Sequence, residues 1–496
     1  MDLVSRFSAF AMTSGVIEEI DRIWFENELR ALIGRDDLDV VDLDELTVFS
    51  VVERLADVSE CSGRLEALDW TRDMFETKLY GFLTPKPSVL QKEFESLSQI
   101  DSRQATDTFY RRCLENNQVK TREIAKNSHF NVPSRYGEMT ITINLSKPEK
   151  NPREIAKLAN LPKKATEDFP KCALCIENEG YLGRIDYPAR SNHRVIRFDL
   201  EQEKWAMQYS PYAYFNEHSI FLNETHQNMV IDKGAFKKLL SIVQKLPHYF
   251  VGSNADLPIV GGSILNHEHF QGGRAAMPME NAAIRQSYSL AGGAITAHIL
   301  EWPMSVIRLV GGSPNELVEL SVKVLEAWNV YDNSDLEIVS HTGNVRHHTI
   351  TPIARFRDGN YEMDLVLRDN HTTAEHPDGL FHPHKAHHHI KKENIGLIEV
   401  MGVAILPARL KRELAEIKNY LINGGALPTA IHQSWTATLK ATYPRSNESI
   451  ERFLELAVGE KFVAVLEDCG VFKTDAASQM AFQHFVRNTL PINEAK

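Results

Sequence analysis

The spacing of hydrophobic positions changes along the chain, and each change predicts a different kind of element. Ile17 to Ile33 carries a wide apolar stripe at helical spacing, and the charged stretch from Glu93 to Lys126 continues in helical style, so residues 1–130 read as a helical N-terminal region. From Tyr136 the texture becomes β-rich, with Met139 to Leu145 and Arg194 to Phe198 as strands between Gly and Pro punctuation. Tyr212 to Leu222 reads as a strand. Phe236, Leu239, Leu240, Val243 and Leu246 then repeat at helical spacing, and Ile259 to Phe270 returns to strand.

The same β–α–β order comes a second time. Trp302 to Val310 predicts a strand, and Ser313, Pro314 and Glu316 supply the N-cap, N1 and N3 of a helix running to Trp328. Strands are predicted at Leu336 to Ser340, Thr349 to Phe356, Tyr361 to Leu367 and Ile395 to Ala404. Beyond Pro407, Leu410, Leu414, Ile417 and Leu421 share one helical face, with Asn423, Gly424 and Gly425 as the stop. The reading is an α+β chain: two related β-rich halves, 131–290 and 291–410, between helical regions 1–130 and 411–496.

A chain of 496 residues exceeds what one hydrophobic core supports, which agrees with several packed units. No run approaches the ~18 apolar residues that signal a membrane span. The short apolar run from Phe7 to Met12, with Asp2 and a lone Arg6 before it, makes a poor signal peptide. Five cysteines in so long a chain argue against a disulfide framework and for a reducing, cytoplasmic setting. A net charge of −12, without a Lys/Arg stripe interleaved with aromatics, speaks against nucleic acid as a partner. The 20 histidines, several of them concentrated in two short segments, direct attention to imidazole chemistry.

The first segment lies between the glycine pairs Gly261–Gly262 and Gly272–Gly273. Read as a strand, it places His267, His269 and Gln271 on one face at steps of about 6.7 Å. A neutral imidazole attacks phosphorus well and yields a reactive phosphoramidate, which divides one group transfer into two steps. An amide such as that of Gln271 can donate to a non-bridging oxygen as charge shifts. The flanking glycines would let backbone amides approach phosphates.

These residues resemble the histidine triad superfamily in its transferase branch, where Gln takes the place of the third histidine. The runs Gly261 to Gly273, Tyr212 to Ile231, and His382 through Ile390, Lys391, Lys392, Glu393 and Asn394 to Leu410 resemble the class II UDP-glucose–hexose-1-phosphate uridylyltransferases, over nearly the whole chain. The resemblance implies that each half is an antiparallel sheet crossed by a helix, that His269 is the nucleophile, and that Gln271 is its partner. It implies transfer of uridylyl from UDP-glucose to galactose 1-phosphate by a ping-pong route, with no organic cofactor and a homodimer as a candidate assembly. Class I members carry Pro where this chain has Glu268, and they lack the helical leader. The alternatives are a nucleotide-sugar or dinucleotide phosphorylase or hydrolase using the same nucleophile, and a zinc-stabilised nucleotide-binding protein without turnover.

Cys172 and Cys175 form a Cys-x-x-Cys knuckle whose spacing lets two thiolates share one tetrahedral ion. His226 and His267 are the further ligands that the class I resemblance suggests, and the implied role is structural zinc. By the same resemblance, Asn254 and Ser263 would contact nucleotide phosphates, and Glu399, on the strand after the His-rich loop, would meet a sugar hydroxyl. Arg184 and Arg194 are candidate phosphate partners. The second histidine cluster, His382, His384, His387, His388 and His389, lacks both the following Gln and the glycine brackets. A nucleophile, a metal or phosphate contact and a plain polar loop all remain open for it.

Overall fold

The structure, a computed structural model, describes residues 2–493 apart from 36–45, 69, 147–168, 185, 263, 291 and 444–448. Ser263 therefore lies outside the described residues. Toward the N-terminus, helices Leu3–Thr13, Arg22–Ile33, Val48–Cys61 and Arg72–Phe82 bury Phe7, Phe25, Leu29, Val52 and Phe75 in a core of their own.

The strands, in chain order, are β1 (Ser128–Ser134), β2 (Gly137–Ile143), β3 (Ile196–Leu200), β4 (Glu203–Tyr209), β5 (Ser219–Asn223), β6 (Phe250–Gly252), β7 (His269–Gly273), β8 (Ile284–Ser289), β9 (Ile295–Leu300), β10 (Val306–Gly311), β11 (His341–Thr342), β12 (Val345–Arg346), β13 (His348–Arg357), β14 (Asn360–Asp369) and β15 (Val403–Leu406). Ten of them form one sheet, ordered β3-β4-β5-β7-β6-β13-β14-β10-β9-β8, with antiparallel pairings throughout. The order is a palindrome. The antiparallel sheets expected of the two halves join edge to edge where β6 meets β13.

Register makes the correspondence specific. At the join Gly252 pairs with Ile353. Counting outward, Gly252 faces Gln271 and then Ile220 on one side, while Ile353 faces Asp364 and then Arg308 on the other. Gln271 thus corresponds to Asp364, and two residues earlier His269 corresponds to Glu362.

One helix crosses each half on the same side. Helix Lys233–Lys245 is capped by Asp232, which accepts the Ala235 N–H at 2.9 Å. Helix Pro314–Asn329 is capped by Ser313, which accepts the Glu316 N–H as the sequence predicts. Phe236, Leu239, Val243, Leu317, Val324 and Trp328 from these helices pack against Trp205, Phe221, Phe270, Ile350 and Leu365 of the sheet. The opposite face is covered in part by the sheet β1-β2-β15 and by helices Arg409–Asn423 and Ile450–Cys469.

Four predicted strands turn out differently. Residues up to His218 are turns, because Glu217 takes φ 53°, so β5 starts only at Ser219. The described residues from Ile259 to His267 form a loop with φ 72° at Ile259; there the Met229 and Glu268 N–H groups bond to the carbonyls of Leu265 and Gln227 instead of extending the ladder. Ile395 to Ala404 splits into a helical turn, Leu397–Val400, and β15, because Glu399 folds back to accept the Gly396 N–H. Leu336 to Ser340 is a 3₁₀ turn followed by bridging residues rather than a strand.

Candidate active site

His269 and Gln271 are the first and third residues of β7 and point to the face away from helix Lys233–Lys245. Their neighbours Glu268 and Phe270 point toward it, as strand alternation requires. His267 is not the third member of this row. It lies just before the strand, fully buried, with its ring turned to the cysteines.

The hydrogen bonds at His269 set its tautomer. Nδ1 lies 2.8 Å from the His267 carbonyl, which can only accept, so Nδ1 carries the proton and Nε2 carries the lone pair. Burial pushes its pKa down to about 4, so the ring is neutral near pH 7. His218, which the sequence reading did not single out, does the same service for Gln271. Its Nδ1 accepts the Tyr214 N–H at 3.5 Å, so Nε2–H donates to Gln271 Oε1 at 2.9 Å. The Gln271 carbonyl is thereby occupied and its NH₂ remains the group to offer. Burial holds His218 neutral too, with a pKa of about 4.

The glycines have packing reasons distinct from phosphate approach. A Cβ on Gly262 would lie 2.7 Å from Asn254 Nδ2, and one on Gly272 would lie 2.3 Å from the Phe250 carbonyl. Gly272 is required by close strand packing and Gly262 by the passage of Asn254.

The four expected metal ligands come together. Cys172 Sγ and Cys175 Sγ are 3.6 Å apart, Cys172 Sγ is 3.1 Å from His267 Nδ1, and Cys175 Sγ is 3.1 Å from His226 Nδ1. All four donor atoms lie within 4.8 Å of one another. A tetrahedral ion at about 2.0–2.3 Å from each donor needs neighbouring donors about 3.3–3.8 Å apart, so the set fits one ion with little adjustment. His267 Nε2 sits 2.7 Å from the Asn223 carbonyl, which fixes its proton there and leaves the Nδ1 lone pair facing the cysteines, as a metal ligand would need.

The remaining candidates divide. Asn254 Oδ1 accepts the Leu397 N–H at 2.8 Å, and Glu399 accepts from Gly396 and is ion-paired with buried Lys391, so both meet at residues 396–397. Glu399 stands on a helical turn, not on the predicted strand. Arg184 stays in the cysteine lobe, bonded to Asp186 at 2.6 Å and to the Phe169 carbonyl at 2.8 Å. Arg194 is buried and donates to the carbonyls of Pro85, Ser191 and His193, which makes it a structural tie. In the second histidine cluster, His384 pairs with Asp468 at 3.2 Å, His388 bonds to the Pro383 carbonyl, and His382 meets Asn394. Among the described residues the only metal-ligand grouping is the Cys172–His267 set.

A buried neutral imidazole with a free Nε2, beside a pre-set amide on a duplicated sheet, defines a centre of the group-transfer class. Comparison with known proteins gives the family. The galactose-1-phosphate uridyl transferase N-terminal domain matches residues 15–228 and the corresponding C-terminal domain matches 242–437. The galactose-1-phosphate uridylyltransferase of Lactiplantibacillus plantarum is 49% identical over 468 residues, 94% of this chain and 95% of its own length. That of Streptococcus mutans is 48% identical over 488 residues, covering 98% and 99%. The yeast Ap4A phosphorylase Apa2 aligns with 62% of this chain and 86% of its own at 12% identity and a TM-score of 0.29. The chain belongs to the galactose-1-phosphate uridyl transferase family; it is a nucleotidyltransferase. No helix among the described residues is long and apolar enough to cross a membrane.

Proposed function

We propose that the chain converts UDP-glucose and galactose 1-phosphate to glucose 1-phosphate and UDP-galactose through a uridylyl group held on His269 Nε2. In the first step Nε2 bonds to the α-phosphorus and the bond to the β-phosphate oxygen breaks, releasing glucose 1-phosphate. In the second, a phosphate oxygen of galactose 1-phosphate takes the uridylyl group and frees the imidazole. The His267 carbonyl, 2.8 Å from Nδ1, accommodates the positive charge that the ring acquires as the P–N bond forms. The Gln271 NH₂, turned outward by His218, donates to a non-bridging oxygen.

Cys172, Cys175, His226 and His267 would hold zinc, whose contribution is a rigid tetrahedral anchor beside the nucleophile. Asn254 and Glu399, tied to adjacent backbone N–H groups, are proposed to line the sugar-phosphate side, and Arg184 to contribute from the cysteine lobe.

The single observation behind the reading is the tautomer of His269, fixed by a backbone carbonyl so that Nε2 is the nucleophilic atom. The test is incubation with uridine-labelled UDP-glucose, a quench in base to preserve the P–N bond, and peptide mapping. One label per chain on His269 is expected. Label on His384, or on no histidine, would refute it.

A further inference from the structure

On the helix-facing side of β7, the residues that alternate with His269 and Gln271 are clamped. Phe270 stacks on Trp205, with ring centroids 5.0 Å apart and planes 10° from parallel. Glu268 is buried, and its Oε1 lies 2.8 Å from Lys238 Nζ of helix Lys233–Lys245. Its other oxygen accepts from Asn223 at 2.9 Å and Gln227 at 2.7 Å. Lys238 also pairs with Glu203 at 2.9 Å and lies over the Trp205 ring, 5.2 Å from Nζ to the centroid. The Glu268 backbone is held as firmly, since its N–H donates to the Gln227 carbonyl and its carbonyl accepts from the Asn223 N–H.

Glu268 therefore joins the residue whose carbonyl sets the nucleophile's tautomer to the nucleophile itself, and among the described residues the one cation on its carboxylate is Lys238. Resting on the assignment of His269 as nucleophile, we infer that Lys238 is a positioning residue for catalysis: through its buried ion pair with Glu268 it fixes where His269 Nε2 stands. Lys238 reaches no reacting atom. Its effect passes through the peptide between residues 267 and 269, where a displacement of about 1 Å costs about 10²-fold in rate. Removing the ammonium leaves Glu268 buried without its counter-charge, and the carboxylate must draw in water or shift its strand.

The experiment uses the full chain and counts turnover per His269 that takes up uridylyl label, so that misfolded molecules drop out. For Lys238→Met, kcat per labelled site is expected to fall about 10- to 100-fold with KM for UDP-glucose within about threefold, because the loss is in alignment rather than in substrate contact. Glu268→Gln, which keeps the Lys238–Glu203 pair, is expected to lose about tenfold. The double variant Lys238→Met/Glu268→Gln removes the stranded charge and is expected to recover to within about threefold of Glu268→Gln alone. A merely structural role would reduce the number of labelled sites and leave kcat per site unchanged. Wild-type kcat per site in Lys238→Met, or in Glu268→Gln where the first does not fold, overturns the inference, as does a double variant more than about threefold slower than Glu268→Gln alone. Absence of label on His269 in the unaltered enzyme would instead defeat the nucleophile assignment.

Discussion

The two halves of the ten-stranded sheet follow one topology and use matching positions in opposite ways. In the first half β7 offers His269 and Gln271, each neutral and each oriented by one fixed hydrogen bond. In the second half the matching positions on β14 are Glu362 and Asp364, locked among three arginines. Arg308 reaches Asp364 at 2.6 Å, Arg355 reaches Asp364 at 2.8 Å and Glu362 at 2.9 Å, and Arg357 reaches Glu362 at 2.7 Å. Glu280 adds a third carboxylate, 3.4 Å from Arg355, so the cluster is balanced. A carboxylate whose two oxygens are both paired with guanidinium groups is poorly placed to attack phosphorus. The duplicated frame supplies the same placement in both halves, and the side chains at the matching positions give each half its own chemical character.

Loss of the proposed nucleophile is expected to give the widest separation between the halves. His269→Ala is expected to lower the rate by at least about 10⁴-fold and to abolish labelling, while no label moves to the second half. Should the alanine variant still exchange its sugar phosphates at the normal rate, the contrast collapses. Gln271→Ala comes next, with kcat down about 10²- to 10³-fold, the usual cost of one transition-state donor, measured by steady-state kinetics. Metal removal belongs to the first half alone. Cys172→Ser is expected to lower metal content, read by elemental analysis, and activity by about 10- to 100-fold.

In the second half the same kind of change should touch stability and spare turnover. Asp364→Asn is expected to cost about 3–5 kcal/mol of unfolding free energy, because it removes the carboxylate that two buried guanidinium groups share and leaves Arg308 without its close ion-pair partner, with kcat per folded molecule unchanged. Burial alone would raise the Asp364 pKa, but Arg308 and Arg355 hold it at about 2. A depressed folded pKa means that its stabilisation is present above the unfolded value of about 3.9 and is withdrawn as pH falls toward 2. Acid unfolding curves should therefore lose that component in Asp364→Asn. The smallest effect is expected for Arg184→Ala, a change in KM of less than about threefold, since this arginine is half-exposed and already engaged with Asp186.

Much of this was legible in the sequence because its signals are local. The cap at Ser313, the helical period from Phe236 to Leu246, and the Gly424 stop depend on neighbours within a turn, and all are found. Cys172 with Cys175 was legible as half of the cysteine–histidine cluster, and the resemblance supplied His226 and His267. The strand through Ile259 was misread because a run of apolar residues does not reveal φ 72° at one of them, or hydrogen bonds made to residues 227–229. His218, Lys238 and Glu203 escaped notice for a related reason. Their roles depend on partners 30 to 53 positions away, as with Lys238 to Glu268 and His218 to Gln271, and single-residue patterns carry no trace of such pairings. Arg194 shows the converse, a residue type apt for phosphate spent on three carbonyls.

The seam between β6 and β13 has a consequence for dissecting the chain. β6 is only three residues long, and its hydrogen bonds on one side go to a strand from the other half. Cutting the polypeptide between the halves would bare unsatisfied backbone groups along both strands, an invitation to intermolecular pairing and precipitation. Each half thus covers an edge of the other, and neither should be recoverable as a soluble fragment without its sibling.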